Sequence, residues 1–213
     1  MSRRGAFAVV LCLVLLGGCF TGKRPSFKDD PFPVGTMTGD AAVDAVLTKL
    51  DAASAGPITA AYSVLTKFGN TTSQAIVVLD AGNRSVVIGN VHYIDTPGAQ
   101  ATCAQDASVP CIDGLDASKV SNIGITIDFY AADTAKRLRR DFRSMIGPST
   151  PHVETIADQT ATCVDVPLSG GTAVYCVMDS GLIARLDDGD VAVNLTLFGA
   201  VADPNEFVFP VDA

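Results

Sequence analysis

The strongest constraint on the fold is a group of strand-like segments that are apolar at nearly every position. Residues 75–79, with the sequence Ala-Ile-Val-Val-Leu, show this most clearly. Successive side chains of a strand point to opposite faces of a sheet, so a sheet with one solvated face alternates apolar and polar residues. Because these segments do not alternate, both faces of their sheet must be covered, or one face must line an apolar cavity.

Two amphipathic helices divide the strand-like segments into two groups. The first helix is predicted over 40–54, where four apolar residues share one helical face and Gly56-Pro57 ends the pattern. The second is predicted over 131–146, again with a Gly-Pro pair after it. The order helix, strands, helix, strands predicts an α+β domain in which a large antiparallel sheet carries helices on one side.

The strand-like segments are rich in Val, Ile, Thr and Tyr and are separated by Gly, Asn and Asp turns. Between the two groups we expect a long loop over 95–122 and a strand or helix lead-in over 124–130. The predicted strands cover residues 57–68, 73–80, 85–94, 152–168, 172–179, 181–188, 191–198 and 206–210.

Residues 1–18 have the layout of a secretory signal peptide. Two arginines precede an apolar run over 6–16, and two glycines follow it. The run is shorter than the ~20 residues that a helix needs to cross a bilayer. Residues 16–19, Leu-Gly-Gly-Cys, resemble the bacterial lipobox, in which cleavage leaves a lipidated cysteine at the amino terminus. We expect Cys19 to carry acyl chains such as palmitate and to anchor the chain on the extracytoplasmic face of a bacterial cell membrane; ordinary signal cleavage and an uncleaved anchor are the alternatives.

The acidic balance of the chain argues against nucleic acid as a partner. Removal of the signal peptide lowers the number of Lys and Arg residues from 15 to 13, against 23 acidic residues. The resulting net charge of about −10 repels phosphates, whose attraction drives nonspecific nucleic-acid binding. The apolar fraction of 48% with 18% charged residues is typical of a folded globular protein.

Residues 19–38 are predicted to form a lipidated flexible tether. They contain three prolines, two glycines and several charges without helical or strand periodicity, and such a segment has few apolar contacts to offset its ordering entropy. The remaining residues, 39–213, have the length of one domain.

Four cysteines lie beyond the lipobox and predict two disulfides, because exported proteins meet an oxidising compartment. Cys103 and Cys111 flank a polar loop, and Cys163 and Cys176 flank a candidate hairpin with a Ser-Gly-Gly turn. Four cysteines allow three pairings, of which we predict these two local ones. Neither the spacing nor the histidines match a zinc pattern, so no metal site and no cofactor are expected.

The sequence contains no recognisable catalytic constellation. His92 lies in an apolar strand, and His152 follows Pro151 in a predicted turn. A catalytic triad would have to use one of these two histidines. Neither the nucleophile elbow Gly-x-Ser-x-Gly nor a phosphate-binding glycine-rich loop occurs. We therefore expect no enzymatic activity and assign no catalytic residue.

The second helix carries five basic residues opposite its apolar stripe. Beside a membrane, such a face could meet lipid headgroups. A solvated face whose cations complement the dipole at the helix C-terminus explains the pattern equally simply, and is the preferred interpretation. The five residues are Lys136, Arg137, Arg139, Arg140 and Arg143.

Three stretches of the mature chain together resemble a known group of lipoproteins. They are the D-x-V-x-x-x-L pattern over Asp44–Leu50, residues 174–186 (VYCVMDSGLIARL) and residues 203–210 (DPNEFVFP). In these stretches the chain resembles the actinobacterial lipoproteins of LolA-like fold, of the LppX and LprG type, and the lipoprotein-sensing regulator RseB. The resemblance implies a strongly curved antiparallel β-sheet, an unclosed barrel, with helices packed on one side and an apolar hollow that holds acyl chains or lipidated partners.

The resemblance predicts a noncatalytic cell-envelope lipoprotein that binds a lipid or an acyl chain in this hollow, with lipid transport as one use. The alternative is a sensor or protein-interaction module at the membrane surface, whose hollow is filled by its own side chains, such as Phe142. The expected partners are the membrane, through the lipid anchor, a hydrophobic ligand and a further envelope protein. Ordinary core packing is the other interpretation of the candidate lining residues, which are the alternating apolar positions Tyr62, Val64, Ile76, Val78, Val87, Val193, Leu195 and Leu197.

Overall fold

The computed structural model describes residues 31–52, 56–105, 109–120 and 125–209. One compact unit begins at Phe32, whereas the sequence predicted a domain beginning at residue 39. The predicted signal peptide, Cys19 and the first part of the predicted tether lie outside the described residues.

Two helices of equal length, α1 (Ala41–Ala52) and α2 (Ala132–Arg143), match the two predicted ones. Asp40 caps α1 because its Oδ1 atom accepts hydrogen bonds from the N–H groups of Ala42 at 3.0 Å and Val43 at 3.1 Å. The four apolar residues that predicted α1 are all buried. Among the helices of the described residues, none has both the length and the apolar character that crossing a bilayer requires.

The strands of the described chain form one antiparallel sheet. A short 3-10 helix (Ala117–Lys119) follows the first group of strands, and another (Pro204–Phe207) follows the last strand. The strands are β1 (Ile58–Thr66), β2 (Thr71–Asp80), β3 (Asn83–Ile88), β4 (Val91–Thr96), β5 (Ala99–Ala104), β6 (Ile112–Asp113), β7 (Thr150–Ile156), β8 (Gln159–Leu168), β9 (Gly171–Met178), β10 (Ile183–Asp187) and β11 (Val191–Gly199).

The sheet joins two meanders through one pairing between distant strands. Its strand order is β6-β5-β4-β3-β2-β1-β11-β10-β9-β8-β7, so every neighbouring pair is consecutive along the chain except β1 and β11. The sheet is open, with β6 and β7 at its edges. Register shifts in β1, after Ala61, and in β10, after Ile183, mark irregularities that bend strands. The predicted α+β class, with helices on a large antiparallel sheet, is broadly consistent with this architecture.

Several elements between the helices differ from the sequence-based expectations. The predicted strand 85–94 is two strands, β3 and β4, joined by a turn at Gly89-Asn90. The predicted loop 95–122 contains β5 and β6. The predicted strand over 124–130 is a series of turns where the structure describes it, and the predicted strand at 206–210 is replaced by the end of the second 3-10 helix.

The sheet has an inner face, which meets the helices, and an outer face. On the inner face, Thr162 accepts a hydrogen bond from Lys49 of α1 at 2.7 Å, and Tyr175 donates one to Asp141 of α2 at 2.5 Å. Cross-strand register then assigns every other strand residue to one face or the other. One fully buried inner row crosses five strands through Val64, Val193, Leu186, Tyr175 and Val164.

The inner face has two different covers. The helices pack mainly on β7, β8 and β9, which we call the helix-covered half. Over β1 to β5, which we call the segment-covered half, residues Ile125–Ala131 bring the side chains of Ile127 and Phe129 into the core. We call Ile125–Ala131 the covering segment.

The outer face of the segment-covered half is covered by the end of the chain. Thr59 of β1 donates a hydrogen bond from Oγ1 to the carbonyl oxygen of Val201 at 2.8 Å, and the second 3-10 helix packs on β3 and β4. The outer-face residues Val78, Val87 and Ile94 are buried. Both faces are therefore covered over much of this half, while Ile76 of β2 is 39% exposed on the outer face.

The last residues of the predicted tether and one predicted surface arginine are held between the helices. Arg139 is 3% exposed, pairs with Asp51 of α1 and donates from Nε to the carbonyl oxygen of Thr36 at 2.8 Å. The guanidinium of Arg143 lies 4.7 Å from the ring centroid of Phe32. The prediction that all five basic residues of α2 form a solvated face is therefore wrong for Arg139, because Asp51 of α1 compensates its charge inside the structure. It is also wrong for Arg137, whose side chain is 16% exposed and pairs with the buried Asp188.

Candidate functional site

The eight residues predicted to line a hollow lie on two faces of the sheet. The register pairs Tyr62 with Ala75 and Ala61 with Ile76, so the two neighbouring strands contribute residues of opposite orientation to the predicted set. The prediction that all eight line one hollow is therefore wrong. The inner-face members are Tyr62, Val64, Val193 and Leu195, and the outer-face members are Ile76, Val78, Val87 and Leu197.

Small apolar side chains lie at the centre of the inner face of the segment-covered half. Five inner-face positions of β1, β2 and β3 carry alanine or valine, and these residues are completely buried. Small side chains fill little of the space between the sheet and its cover. Because protein interiors are close-packed, the covering segment or a ligand must fill the remaining space. The completely buried small residues are Ala60, Val64, Ala75, Val77 and Val86.

Tyr62 is the one aromatic side chain on the inner face of β1 and β2, and it lies beside these small residues. Its ring meets that of Phe129 edge-to-face, with centroids 5.3 Å apart and planes at 83°. Its hydroxyl is buried and has no hydrogen-bond partner among the residues that the structure describes. Burial, with a smaller contribution from Tyr130, holds the pKa of Tyr62 well above its usual range, so the hydroxyl stays protonated and able to donate.

An unpaired buried hydroxyl is unfavourable, typically by about 1–3 kcal/mol. Such groups in proteins usually have a partner. At this position the partner could be a carbonyl or carboxyl oxygen of a molecule lying between Tyr62 and the covering segment. The geometry therefore combines small apolar side chains with this donor and the nearby hydroxyl of Tyr130, which is the composition of a site for a mainly apolar ligand with a polar end.

The covering segment is attached to the sheet at defined points. Arg84 of β3 pairs with Asp128 of the segment and, at 2.8 Å, with Asp95 of β4. The carbonyl oxygen of Tyr130 accepts a hydrogen bond from the N–H of Ile183 at 2.8 Å. These contacts hold the middle and the C-terminal end of the segment, while its apolar side chains lie on the inner face.

A second stretch covers the inner face near β4 and β5. Tyr93 donates a hydrogen bond from Oη to the carbonyl oxygen of Asp116 at 3.1 Å, and Thr102 donates one to the carbonyl oxygen of Gly114 at 2.8 Å. Leu115 and Val120 pack against the core. The cover of this half thus consists of connecting segments, and the helices lie over the other half.

Cavities lined by described residues occur at the rim of the sheet. One of about 200 Å³ lies at the open edge of the segment-covered half, beside Val91, Val109 and Ile112. Another, of about 470 Å³, has a more polar lining that includes Lys67 and Asp188. The apolar cavity borders the inner face through Val91 of β4, and the more polar one borders it through Ala173 of β9.

The structure also forms a serine-histidine pair that sequence reasoning did not identify. Ser85 Oγ and His92 Nε2 are hydrogen-bonded at 2.8 Å across β3 and β4 on the outer face. Ser85 is only 1% exposed, and a nucleophile must reach its substrate. The pair thus satisfies the hydrogen-bonding needs of a covered sheet surface.

Both predicted disulfides are present, Cys103–Cys111 and Cys163–Cys176. The second one joins directly opposite residues of β8 and β9. The single predicted strand over 152–168 is instead the hairpin of β7 and β8, so His152, expected beside a turn at Pro151, lies in β7 opposite Cys163. The sequence did not indicate this proximity, because His152 and Cys163 belong to a hairpin whose turn lacks the usual glycine or asparagine signal.

Comparison with known proteins gives no family for this chain. No family model matches it, and no curated protein matches it. Among solved structures, the chain is similar to a DUF1329 family protein from Desulfovibrio piger, with a TM-score of 0.31, 10% sequence identity and coverage of 77% of this chain and 92% of that chain. A likeness at this level carries no argument about fold or function, so the site rests on its own geometry.

Proposed function

We propose that this protein is a noncatalytic bacterial cell-envelope lipoprotein, anchored through Cys19, that binds a lipid or an acyl chain. The ligand lies between the inner face of β1 to β4 and the covering segment. The observation that carries the proposal is the unpaired hydroxyl of Tyr62, buried among small apolar side chains. A fatty acyl ester or acid supplies both things that this site lacks, an apolar chain and one hydrogen-bond acceptor.

The energetics favour such a ligand without further polar contacts. Burial of apolar surface contributes about 25 cal/mol per Å², so an acyl chain of ordinary length is retained by its chain alone. The hydroxyl of Tyr62 then orients the polar end. Transfer of lipid between membranes, or presentation of lipid to an envelope protein, would follow if the covering segment opens.

The second candidate function is a sensor or interaction module with a filled interior. The observation that favours it is that the chain already supplies aromatic and aliphatic side chains to the inner face. Phe129 packs on Tyr62, Leu138 of α2 is completely buried, and Phe142, the residue expected to fill the hollow, is partly buried against the core.

A pair of adjacent residues in β2 distinguishes these functions. Ala75 lies on the inner face opposite Tyr62 and is completely buried, whereas Ile76 lies on the outer face and is 39% exposed. The protein beginning at Phe20 would be exported to a bacterial envelope, purified, and analysed by native mass spectrometry and organic extraction. The same measurement would be made on Ala75→Phe and, as the matched control, Ile76→Phe.

For a lipid-binding protein, we expect lipid at a reproducible stoichiometry in the unmodified protein and in Ile76→Phe. Ala75→Phe should fold but lose the lipid, because the new ring occupies the ligand volume. A lipid-free unmodified protein, combined with a strongly destabilised Ala75→Phe, would instead support the interaction module, since overpacking a filled core typically costs about 1–3 kcal/mol.

A further inference from the structure

A row of chemically reactive side chains crosses the outer face of the helix-covered half. Cross-strand register places His152 of β7 opposite Cys163 of β8, Cys163 opposite Cys176 of β9, and Cys176 opposite Arg185 of β10. Glu154, two residues after His152 on the same strand, has the same orientation. The sheet therefore brings one imidazole, one carboxylate and two sulfur atoms together on a single surface.

The distances within this cluster are those of a potential metal site. One ligand atom from each of His152, Glu154, Cys163 and Cys176 lies within 4.8 Å of the other three. A tetrahedral zinc ion with bonds of 2.0–2.3 Å separates its ligand atoms by roughly 3.3–3.8 Å. Small side-chain rotations are thus sufficient to bring the four atoms to that geometry once the two sulfur atoms are no longer bonded to each other.

We propose that the Cys163–Cys176 disulfide alternates with a zinc-type metal site made of His152, Glu154, Cys163 and Cys176. An external dithiol protein reduces the disulfide, so that its own two thiols become a disulfide and Cys163 and Cys176 become thiols. A divalent cation then displaces the two thiol protons and binds two thiolates, the imidazole and the carboxylate. This proposal concerns the outer face and is independent of lipid binding on the inner face.

The surroundings of the cluster match the needs of such a site. His152 Nε2 lies 3.4 Å from Glu154, while its Nδ1 lies 3.8 Å from Asp165. A carboxylate beside the second nitrogen of a metal-binding histidine orients the ring and increases its basicity. Arg185 lies 3.5 Å from Glu154, and its positive charge balances a centre in which three anionic ligands meet one divalent cation.

Access to the cluster is from solvent on the outer face. The sulfur-bearing residues are buried, with Cys163 at 0% and Cys176 at 1% exposure. The side chains of His152 and Glu154 are 30% and 32% exposed. A cation can therefore meet the imidazole and the carboxylate first and the thiolates second.

The other disulfide provides the internal control. Cys103 of β5 also lies opposite a histidine, His92 of β4. The Nε2 atom of His92 is hydrogen-bonded to Ser85, however, and no carboxylate of the described residues joins these two cysteines in a candidate metal cluster. Only the Cys163–Cys176 pair should therefore bind a cation after reduction.

The experiment uses Co²⁺ as a spectroscopic probe of tetrahedral thiolate coordination. The full-length protein, in detergent, would carry Cys103→Ser and Cys111→Ser, so that one disulfide remains. After reduction with a phosphine, we expect one equivalent of Co²⁺ to bind with thiolate charge-transfer and intense visible bands. The oxidised protein should show neither.

Two variants test the composition of the site. His152→Ala should weaken Co²⁺ binding by at least about tenfold, and the matched control His92→Ala should leave it unchanged. Zn²⁺ should raise the melting temperature of the reduced protein, because a ligand of the native state stabilises that state. The proposal is overturned if the reduced protein shows no Co²⁺ bands, if His152→Ala and His92→Ala behave alike, or if Zn²⁺ does not shift the melting temperature.

Discussion

The two halves of the inner face are covered by different kinds of structure, helices over one half and turns over the other. In the helix-covered half, regular helices satisfy their own backbone hydrogen bonds and are fixed by buried ionic contacts such as Arg139 with Asp51. In the segment-covered half, the cover is a series of turns held by Arg84 and by edge-to-face aromatic contact. Regions with fewer cooperative contacts open at lower free energy than the global structure. The difference indicates that the segment-covered half opens more readily than the helix-covered half.

Loss of the buried ion pair between the helices should have the largest effect on stability. Asp51→Ala leaves the charge of Arg139 buried without its partner, which typically costs about 3–5 kcal/mol. Urea denaturation measures the loss. Asp179→Ala is the matched control, because Asp179 pairs with Lys49 at 2.7 Å but its side chain is 90% exposed, so its loss should not exceed about 1 kcal/mol. Equal losses for both variants would contradict the role of the buried pair.

Replacement of a buried alanine by phenylalanine should lower the free energy of unfolding by different amounts in the two halves. Ala135 of α2 and Ala75 of β2 are both completely buried. Ala135→Phe should lower the free energy of unfolding by about 1–3 kcal/mol, as in a close-packed core. Ala75→Phe should cost clearly less in delipidated protein if the segment-covered half contains ligand volume. The comparison is made by denaturation of both variants under the same conditions, and equal costs would mean that the two halves are equally full.

Removal of the main attachment of the covering segment should loosen that segment selectively. Arg84→Ala loses the contacts with Asp128 and Asp95, and we expect a loss of about 1–2 kcal/mol for charge-assisted hydrogen bonds of partly buried groups. Hydrogen exchange should become faster in residues 125–131, with little change in α1. Lys67→Ala, which removes a 2.7 Å pair with Asp187, is the control and should leave exchange in 125–131 unchanged.

Removal of the unpaired hydroxyl should affect binding more than stability. Tyr62→Phe deletes a buried donor that has no partner, so the free energy of unfolding of the lipid-free protein should change by less than about 0.5 kcal/mol or rise slightly. Retention of an oxygen-bearing acyl ligand, measured by native mass spectrometry, should fall. A large loss of stability would show that the hydroxyl has a partner inside the protein.

The smallest effect should be a pH dependence of the free energy of unfolding, caused by His92 on the outer face of the segment-covered half. Burial lowers the pKa of His92, and the negative charge of Glu206 opposes this only in part. The unfolded chain, with a histidine pKa of about 6.5, therefore binds more protons than the folded protein below that pH. Stability contributed by neutral His92 is complete above pH ~6.5 and is lost as the pH falls through the lower folded-state pKa. His92→Gln should reduce the dependence of the free energy of unfolding on pH below ~6.5. If the variant and the unmodified protein show the same dependence, other groups cause it.

The features that sequence patterns predicted well are local ones. Both helices and the two disulfides depend on residues close together in the chain. Each disulfide closes a loop or a hairpin whose ends are recognisable from turn residues. Periodicity and turn chemistry act over these short distances, and here they suffice.

The orientation of the strands could not be read from their sequences. Shifting a strand by one residue exchanges its two faces, and the apolar residues at both parities of β2 leave no signal to choose between them. This is why the predicted lining set combined Tyr62 with Ile76. Only the register with β1 and the positions of the helices resolve the choice.

The covering segment and the cluster around His152 escaped prediction for different reasons. Ile125, Ile127 and Phe129 alternate like strand residues, but the backbone forms local bonds such as Phe129 N–H to the carbonyl of Thr126 at 3.2 Å. The hairpin that places His152 beside Cys163 turns at Ala157 and Asp158, both with positive φ. These residues seldom adopt that conformation, so no turn was expected between them.

The strand order has a consequence for how the chain first folds. Each meander pairs neighbours along the chain and can form early, but the contact between β1 and β11 joins Thr66 to Val191, and closing such a long loop is entropically costly and slow. Until β11 arrives, β1 is an exposed strand edge that carries apolar side chains such as Tyr62 and Val64. Exposed edges of this kind recruit other chains, so the newly made chain is most vulnerable to aggregation in the interval before β11 pairs with β1.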